Sequence, residues 1–153
     1  MRLPTTSTEF SAGGVVVRGH RSPSGEWSWQ CVVIVPTRLA ANGAKVLALP
    51  KGHPEEGESP GEAALREVRE EAGVVARLVE PLGDVRYWYT RNGRRIAKVV
   101  TFFLLAYVSG EVEDHDSEVE QARWMALEEA ARELSYAGER EMAARALSRT
   151  RTA

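Results

Sequence analysis

The amino-acid sequence predicts an α/β sandwich, with β-strands interleaved around one central helix and helices closing the chain. Three observations carry this reading. Runs of β-branched and aromatic residues recur at 10–18, 29–36 and 98–108, and such side chains suit a pleated, packed surface. Between them, residues 59–72 carry a full set of helix start and stop signals. Beyond residue 127 the spacing of alanine, leucine and methionine turns helical.

FSAGGVVVR at 10–18 and WQCVVIVP at 29–36 read as neighbouring strands joined by the turn-forming stretch GHRSPSGE. KVLALP at 45–50 reads as a short strand that delivers the chain into a PKG turn. Ser59 is a helix N-cap, Pro60 suits the first helical position, Glu62 completes an S-x-x-E capping box, and Gly73 supplies the stop. VVARLVEPLG at 74–83, DVRYWYT at 84–90 and KVVTFFLLAYV at 98–108 read as three strands, the last two joined by a hairpin turn at Asn92-Gly93. QARWMAL at 121–127 predicts one more short strand. LEEAARELS and GEREMAARALSR predict the closing helices, the second offering Met142, Ala143, Ala146 and Leu147 to the sheet or to a partner.

The chain of 153 residues is expected to form a single domain over 1–153, because that length buries a full core and no repeat, low-complexity tract or long linker divides it. A formal net charge of -2 gives no general attraction to nucleic acid or membrane, so no stable nucleic-acid partner is expected. The lone cysteine, Cys31, excludes an internal disulfide and a multi-thiolate metal site, and its CVVIV setting reads as core. No stretch approaches the roughly 20 apolar residues that span a bilayer, and the N-terminus lacks a signal-peptide core. The expectation is a cytoplasmic protein, monomeric or homodimeric, with no membrane association.

Glu67, Glu70 and Glu71 stand at i, i+3 and i+4 of the central helix, so their side chains project from one face. Such a cluster is either a solvated acidic surface or a platform for a hard divalent cation, which carboxylate, carbonyl and water oxygens hold. The loop ahead of the helix favours the second reading. Lys51, Gly52, Gly57 and Glu58 form a turn whose glycines permit close backbone approach and whose amides or carbonyls can face an anion or a cation.

Read together, Gly52, Glu58, Arg66-Glu67-Val68, Glu70-Glu71 and Gly73-Val74 match the pattern GX5EX7REUXEEXGU, with U aliphatic, at every specified position. The chain thereby resembles the Nudix hydrolase family. That resemblance implies an α/β/α sandwich with a mixed sheet, a catalytic helix after a glycine-rich loop, and hydrolysis of a nucleoside diphosphate linked to another group. It also implies a requirement for Mg²⁺, with Mn²⁺ as a substitute. By position, Glu70 and Glu71 would be principal metal ligands, the Gly52 carbonyl a further contact, and Glu67 either a ligand or the base that activates water. Arg66 would orient a glutamate of the motif such as Glu58. The family often places another glutamate before a tryptophan-bearing strand; here Glu118, six residues before Trp124, is preferred over Glu120.

The motif sets the bond broken and leaves the attached group open. Arg86, Arg91, Arg94, Arg95 and Lys98 carry no acid among them and interleave with Tyr87, Trp88 and Tyr89. Phosphates bind the first set and nucleobases stack on the second. Alternation along a strand puts Tyr87 and Tyr89 on the face opposite Trp88, which reads as sheet packing, while Arg91 and Arg94 read as an exposed hairpin tip. LPKGHPEEGE and YWYTRNGRRIAKVVTFFL are similar to the diadenosine polyphosphate hydrolase branch of the family. The likeness implies phosphate contacts from Lys51 and Lys98, with His53 in reach, and a base packed on Tyr87 or Tyr89. Oxidised nucleoside triphosphates, ADP-ribose and RNA 5′ ends are the alternative substrates, and a nucleotide-sensing module without turnover is the alternative class.

Overall fold

Apolar runs such as VVV at 15–17 and CVVIV at 31–35 leave no polar face, and in the fold they have none to offer. The structure, a computed structural model describing residues 6–151, buries both faces at the centre of a six-stranded mixed sheet. The strands are β1 (Thr6–Arg21), β2 (Trp27–Pro36), β3 (Lys51–Gly52), β4 (Val74–Arg91), β5 (Arg94–Gly110) and β6 (Val119–Ala126). The helices are α1 (Pro60–Ala72), α2 (Leu127–Glu133) and α3 (Ala137–Arg151). The order across the sheet is β4-β5-β1-β2-β6, and β3 pairs with β1 beside β2. Among the described residues only the central pair, β1 with β5, runs parallel.

Strand alternation divides the core in two. Val15, Val17, Cys31, Val33, Phe102 and Leu104 face α2 and α3, where they meet Leu127, Leu134, Met142 and Ala146. Val16, Val32, Ile34, Phe103 and Leu105 face the other way, onto Ala63, Ala64, Val68 and Ala72 of α1. The expected α/β/α sandwich is therefore present, and Cys31 is buried in it with its thiol pushed up to about 12 by desolvation. Among the described residues no helix is long and apolar enough to cross a membrane.

Helix α1 begins and ends where its sequence signals place it. The Ser59 side chain accepts from the Glu62 N–H at 3.1 Å, Glu62 accepts from the Ser59 N–H at 2.9 Å, and Gly73 closes the helix at φ 75°. Such a box stabilises a helix start by about 1 kcal/mol.

Three expectations change. Residues 74–83 and 84–90 form one continuous strand, because register shifts around Val75, Leu78 and Pro81 absorb the irregularity. The stretch 45–50 is not a strand: Ala48 makes an isolated bridge to Ile34, and only Lys51–Gly52 joins the sheet. GHRSPSGE is shorter as a loop than expected, since β1 runs to Arg21 and the Ser22 N–H bonds the Glu26 carbonyl at 2.8 Å. The hairpin between β4 and β5 turns at Asn92 and Gly93, both with positive φ, as the Asn-Gly pair predicts.

Candidate active site

Helix α1 and β3 bring the motif together. Lys51 and Gly52 run antiparallel to Ala12 and Gly13, with the glutamate face of α1 beside them. A Cβ at Gly52 would lie 2.1 Å from Glu67 Oε2, so glycine there is what lets the Glu67 carboxylate rest against the backbone. The Lys51 N–H donates to Glu71 Oε1 at 2.8 Å, and Glu71 is thereby fixed to the strand end.

Arg66 organises the remaining carboxylates. Its Nε donates to Glu58 Oε2 at 2.7 Å and its Nη2 to Glu58 Oε1 at 3.0 Å, a two-point pairing that also holds the His53 carbonyl at 2.9 Å. Its Nη1 reaches Glu67 Oε1 at 2.7 Å and Glu70 Oε2 at 3.2 Å. The Arg66–Glu58 pair is the one the motif implies. With Glu55 at 3.6 Å, one guanidinium thus spreads across four carboxylates, and the site remains short of positive charge.

The electrostatics record that shortage. Burial, reinforced by Glu67 and Asp116, pushes Glu71 up to about 7 despite the Lys51 N–H. Burial also raises Glu67, with Glu70 and Glu118 adding repulsion against the lowering effect of Arg66. Among the described residues no three histidine, cysteine or acidic side chains already converge at metal-ligating positions. The donor set nevertheless fits a hard divalent cation: every side-chain donor is a carboxylate oxygen, and the group nearest the strand carries a proton affinity that a cation would displace.

A cleft of about 480 Å³ lined by Gly52, His53, Glu71, Glu118, Tyr87 and Lys98 leads from these carboxylates. It shares Arg38, Lys51, His53, Tyr87 and Lys98 with a larger cavity of about 820 Å³ on the α3 side of the sheet. Glu9, Lys98 and Tyr87 are direct cross-strand partners on β1, β5 and β4, so they form one row across the cavity floor. Lys98 is buried, and desolvation lowers its pKa, with Glu9 opposing the shift from 4.0 Å. The Tyr89 hydroxyl bonds Glu9, while the Tyr87 ring stays open to the cavity.

Every residue singled out in the sequence has a definite place. Glu67, Glu70 and Glu71 share the α1 face, Lys51, Gly52 and His53 adjoin it, and Tyr87, Tyr89 and Lys98 line the larger cavity. Glu118 lines the cleft, whereas Glu120 pairs with Lys45 outside it. Trp88 departs from expectation: it is 53% exposed on the opposite face, with the Arg95 guanidinium 4.4 Å from its ring centre. Arg91 is exposed beside the hairpin turn as expected, and its guanidinium also reaches Glu9 at 3.1 Å. Arg38, Tyr136 and Glu139 line the cavity without having been anticipated. Of these, only Glu139 left a signal: it shares a helical stripe with Met142, Ala143 and Ala146, where a charge is out of place.

The NUDIX domain model matches residues 12–146. The chain belongs to the Nudix family. Nudix hydrolases act on nucleotide anhydride bonds and generally use divalent metal ions. The chain is 37% identical to MutT4 of Mycobacterium tuberculosis over 138 residues, 90% of this chain and 54% of that protein. It is 37% identical to the asymmetrical bis(5′-nucleosyl)-tetraphosphatase of Mus musculus over 92 residues, 60% of this chain and 63% of that protein. The chain therefore spans between about half and two thirds of the length of these two Nudix relatives. A C. elegans Ap4A hydrolase solved as a binary complex superposes with a TM-score of 0.66 at 20% identity, covering 95% of this chain and 99% of that one, which establishes likeness of fold.

Proposed function

We propose that this Nudix domain hydrolyses dinucleoside polyphosphates of the diadenosine tetraphosphate type, releasing ATP and AMP. One observation carries the reading: a tyrosine-lined cavity bearing Arg38, Lys51 and Lys98 opens through a shared cleft onto the carboxylate face of α1. Likeness to the mouse tetraphosphatase over 60% of the chain supports it.

In this reading Glu67, Glu70, Glu71 and the Gly52 carbonyl hold Mg²⁺, for which Mn²⁺ substitutes. When bound, the ion supplies neutralisation of phosphate charge and acidifies water in its shell. Lys51, His53 and Lys98 line the path between carboxylates and cavity, where a polyphosphate chain would lie. Tyr87 offers an open ring for a base, and Tyr89 buttresses the row through Glu9. Glu118 lines the cleft, and in this reading it accepts a proton from the attacking water. The water oxygen bonds to phosphorus, the P–O anhydride bond breaks, and the electron pair leaves with the departing phosphate.

Product analysis by chromatography and mass spectrometry, with diadenosine tetraphosphate and Mg²⁺, tests this directly. ATP plus AMP from the wild type, lost in the Glu70→Gln/Glu71→Gln double variant, is expected. An intact substrate, under conditions where a nucleoside triphosphate or ADP-ribose is cleaved, would move the chain to another branch. Tight binding of all of them without turnover would make it a sensor.

A further inference from the structure

Residues 47–50 cross the sandwich between the two helical layers without forming a strand, so their polar groups need partners from elsewhere. On one side Ala48 exchanges hydrogen bonds with Ile34 of β2. On the other the junction between α2 and α3 answers: Ser135 accepts from the Leu47 N–H at 2.8 Å through its hydroxyl and donates its own N–H to the Leu47 carbonyl at 2.9 Å. Glu139 in the first turn of α3 continues the pattern. Its Oε1 accepts from the Leu49 N–H at 2.8 Å and its Oε2 from Lys51 Nζ at 2.9 Å.

This carboxylate is only 3% exposed, and a buried charge on the core stripe of a helix is expensive. The Leu49 N–H alone needs a neutral acceptor, which a glutamine would provide. The charge is needed for Lys51. That lysine lines both the cleft and the larger cavity, and its ammonium also lies 5.9 Å from the centre of the Tyr136 ring. Its flexible four-carbon stem is thus held at the junction of the two spaces by a group that does not itself reach the carboxylate cleft.

We infer that Glu139 is a positioning residue, which fixes the Lys51 ammonium where the polyphosphate chain passes and so links α3 to phosphate binding. The inference rests on the reading of Lys51 as a phosphate contact. Without the anchor, Lys51 must be ordered anew at each binding event, whereas the carboxylates that carry the chemistry stay in place.

The test is a double-mutant cycle of Glu139→Gln and Lys51→Met, read by steady-state kinetics on diadenosine tetraphosphate and by calorimetry with inorganic tripolyphosphate. Glu139→Gln is expected to raise KM and weaken tripolyphosphate binding about three- to tenfold, with kcat within twofold, as loss of one preordered long side chain implies. In the Lys51→Met background the same substitution is expected to change neither. Lys51→Met alone leaves a buried carboxylate unpaired, so thermal melting is measured throughout; the double variant, with both charges removed, is expected to recover stability. Equal effects of Glu139→Gln in both backgrounds, or a tighter KM in the single variant, would overturn the inference. A wild type that binds tripolyphosphate but leaves the dinucleotide intact would defeat the substrate assignment alone, with the calorimetric cycle still deciding the role of Glu139.

Discussion

Glu71 gives the sharpest physical test of the metal platform. Its carboxyl is pushed up to about 7 from an ordinary value of 4.5, chiefly by burial. A raised acid binds its proton more tightly when folded, so its stabilising contribution is complete below pH 4.5 and is lost as the pH rises through 7. At about 1.4 kcal/mol per tenfold change in proton affinity, ionising Glu71 in the metal-free protein costs about 3 kcal/mol. For a chain of this size that is about 6–12 °C in melting temperature. Glu71→Gln keeps an acceptor for the Lys51 N–H and removes the titration. Scanning fluorimetry in chelator, from pH 5 to 8, is therefore expected to show the wild type losing stability relative to Glu71→Gln. The gap should close when millimolar Mg²⁺ is added to the wild type at pH 8. Parallel pH profiles for the two proteins would refute the argument, since the burial of Glu71 would then carry no charge penalty.

Two further outcomes follow from the same geometry. Gly52→Ala places a methyl 2.1 Å from a Glu67 oxygen, so the carboxylate must move; Mg²⁺-dependent stabilisation and turnover are expected to fall at least about tenfold, by calorimetry and kinetics, while far-UV circular dichroism stays unchanged. Glu118→Gln is expected to lower kcat about 10²-fold with little change in KM, whereas Glu120→Gln, which loses only an exposed pair with Lys45, should leave kcat intact and move stability by less than about 1 kcal/mol. Full turnover by the Glu118 variant would remove that residue from the chemistry.

Local features were the legible ones. Helix α1 announces itself through Ser59, Pro60, Glu62 and Gly73, all of which act within a few residues of one another. The glutamate face and its loop follow from spacing alone, and the hairpin at Asn92-Gly93 from the positive φ that pair tolerates. Pro81 and Gly83 misled, because they break most strands; β4 lies at the sheet edge, where a missing N–H costs nothing and shifts in register are tolerated. Residues 45–50 have strand composition, yet Leu47 and Leu49 bond Ser135 and Glu139, about ninety residues away, and only Ala48 makes a β-bridge to a strand. Aromatic rings usually pack, which is why Trp88 reads as packing, but it is exposed and meets the Arg95 guanidinium. Tyr136 and Arg38 reach the cavity only through the tertiary fold, and no periodicity marks them.

The parallel pairing of β1 with β5 has a kinetic consequence. Thr6 meets Arg95 and Val17 meets Ala106, so every rung of the central ladder joins residues about ninety apart in the chain. Loop closure of that span comes before any reward from the contact, which slows the search for the native topology. During synthesis the whole of α1, with its metal-binding face, leaves the ribosome before β5 exists to complete the sheet beneath it. Until then the valine-rich run of β1 lacks its central partner, and the nascent chain offers an unpaired, strongly apolar strand edge to whatever chaperone or neighbouring chain arrives first.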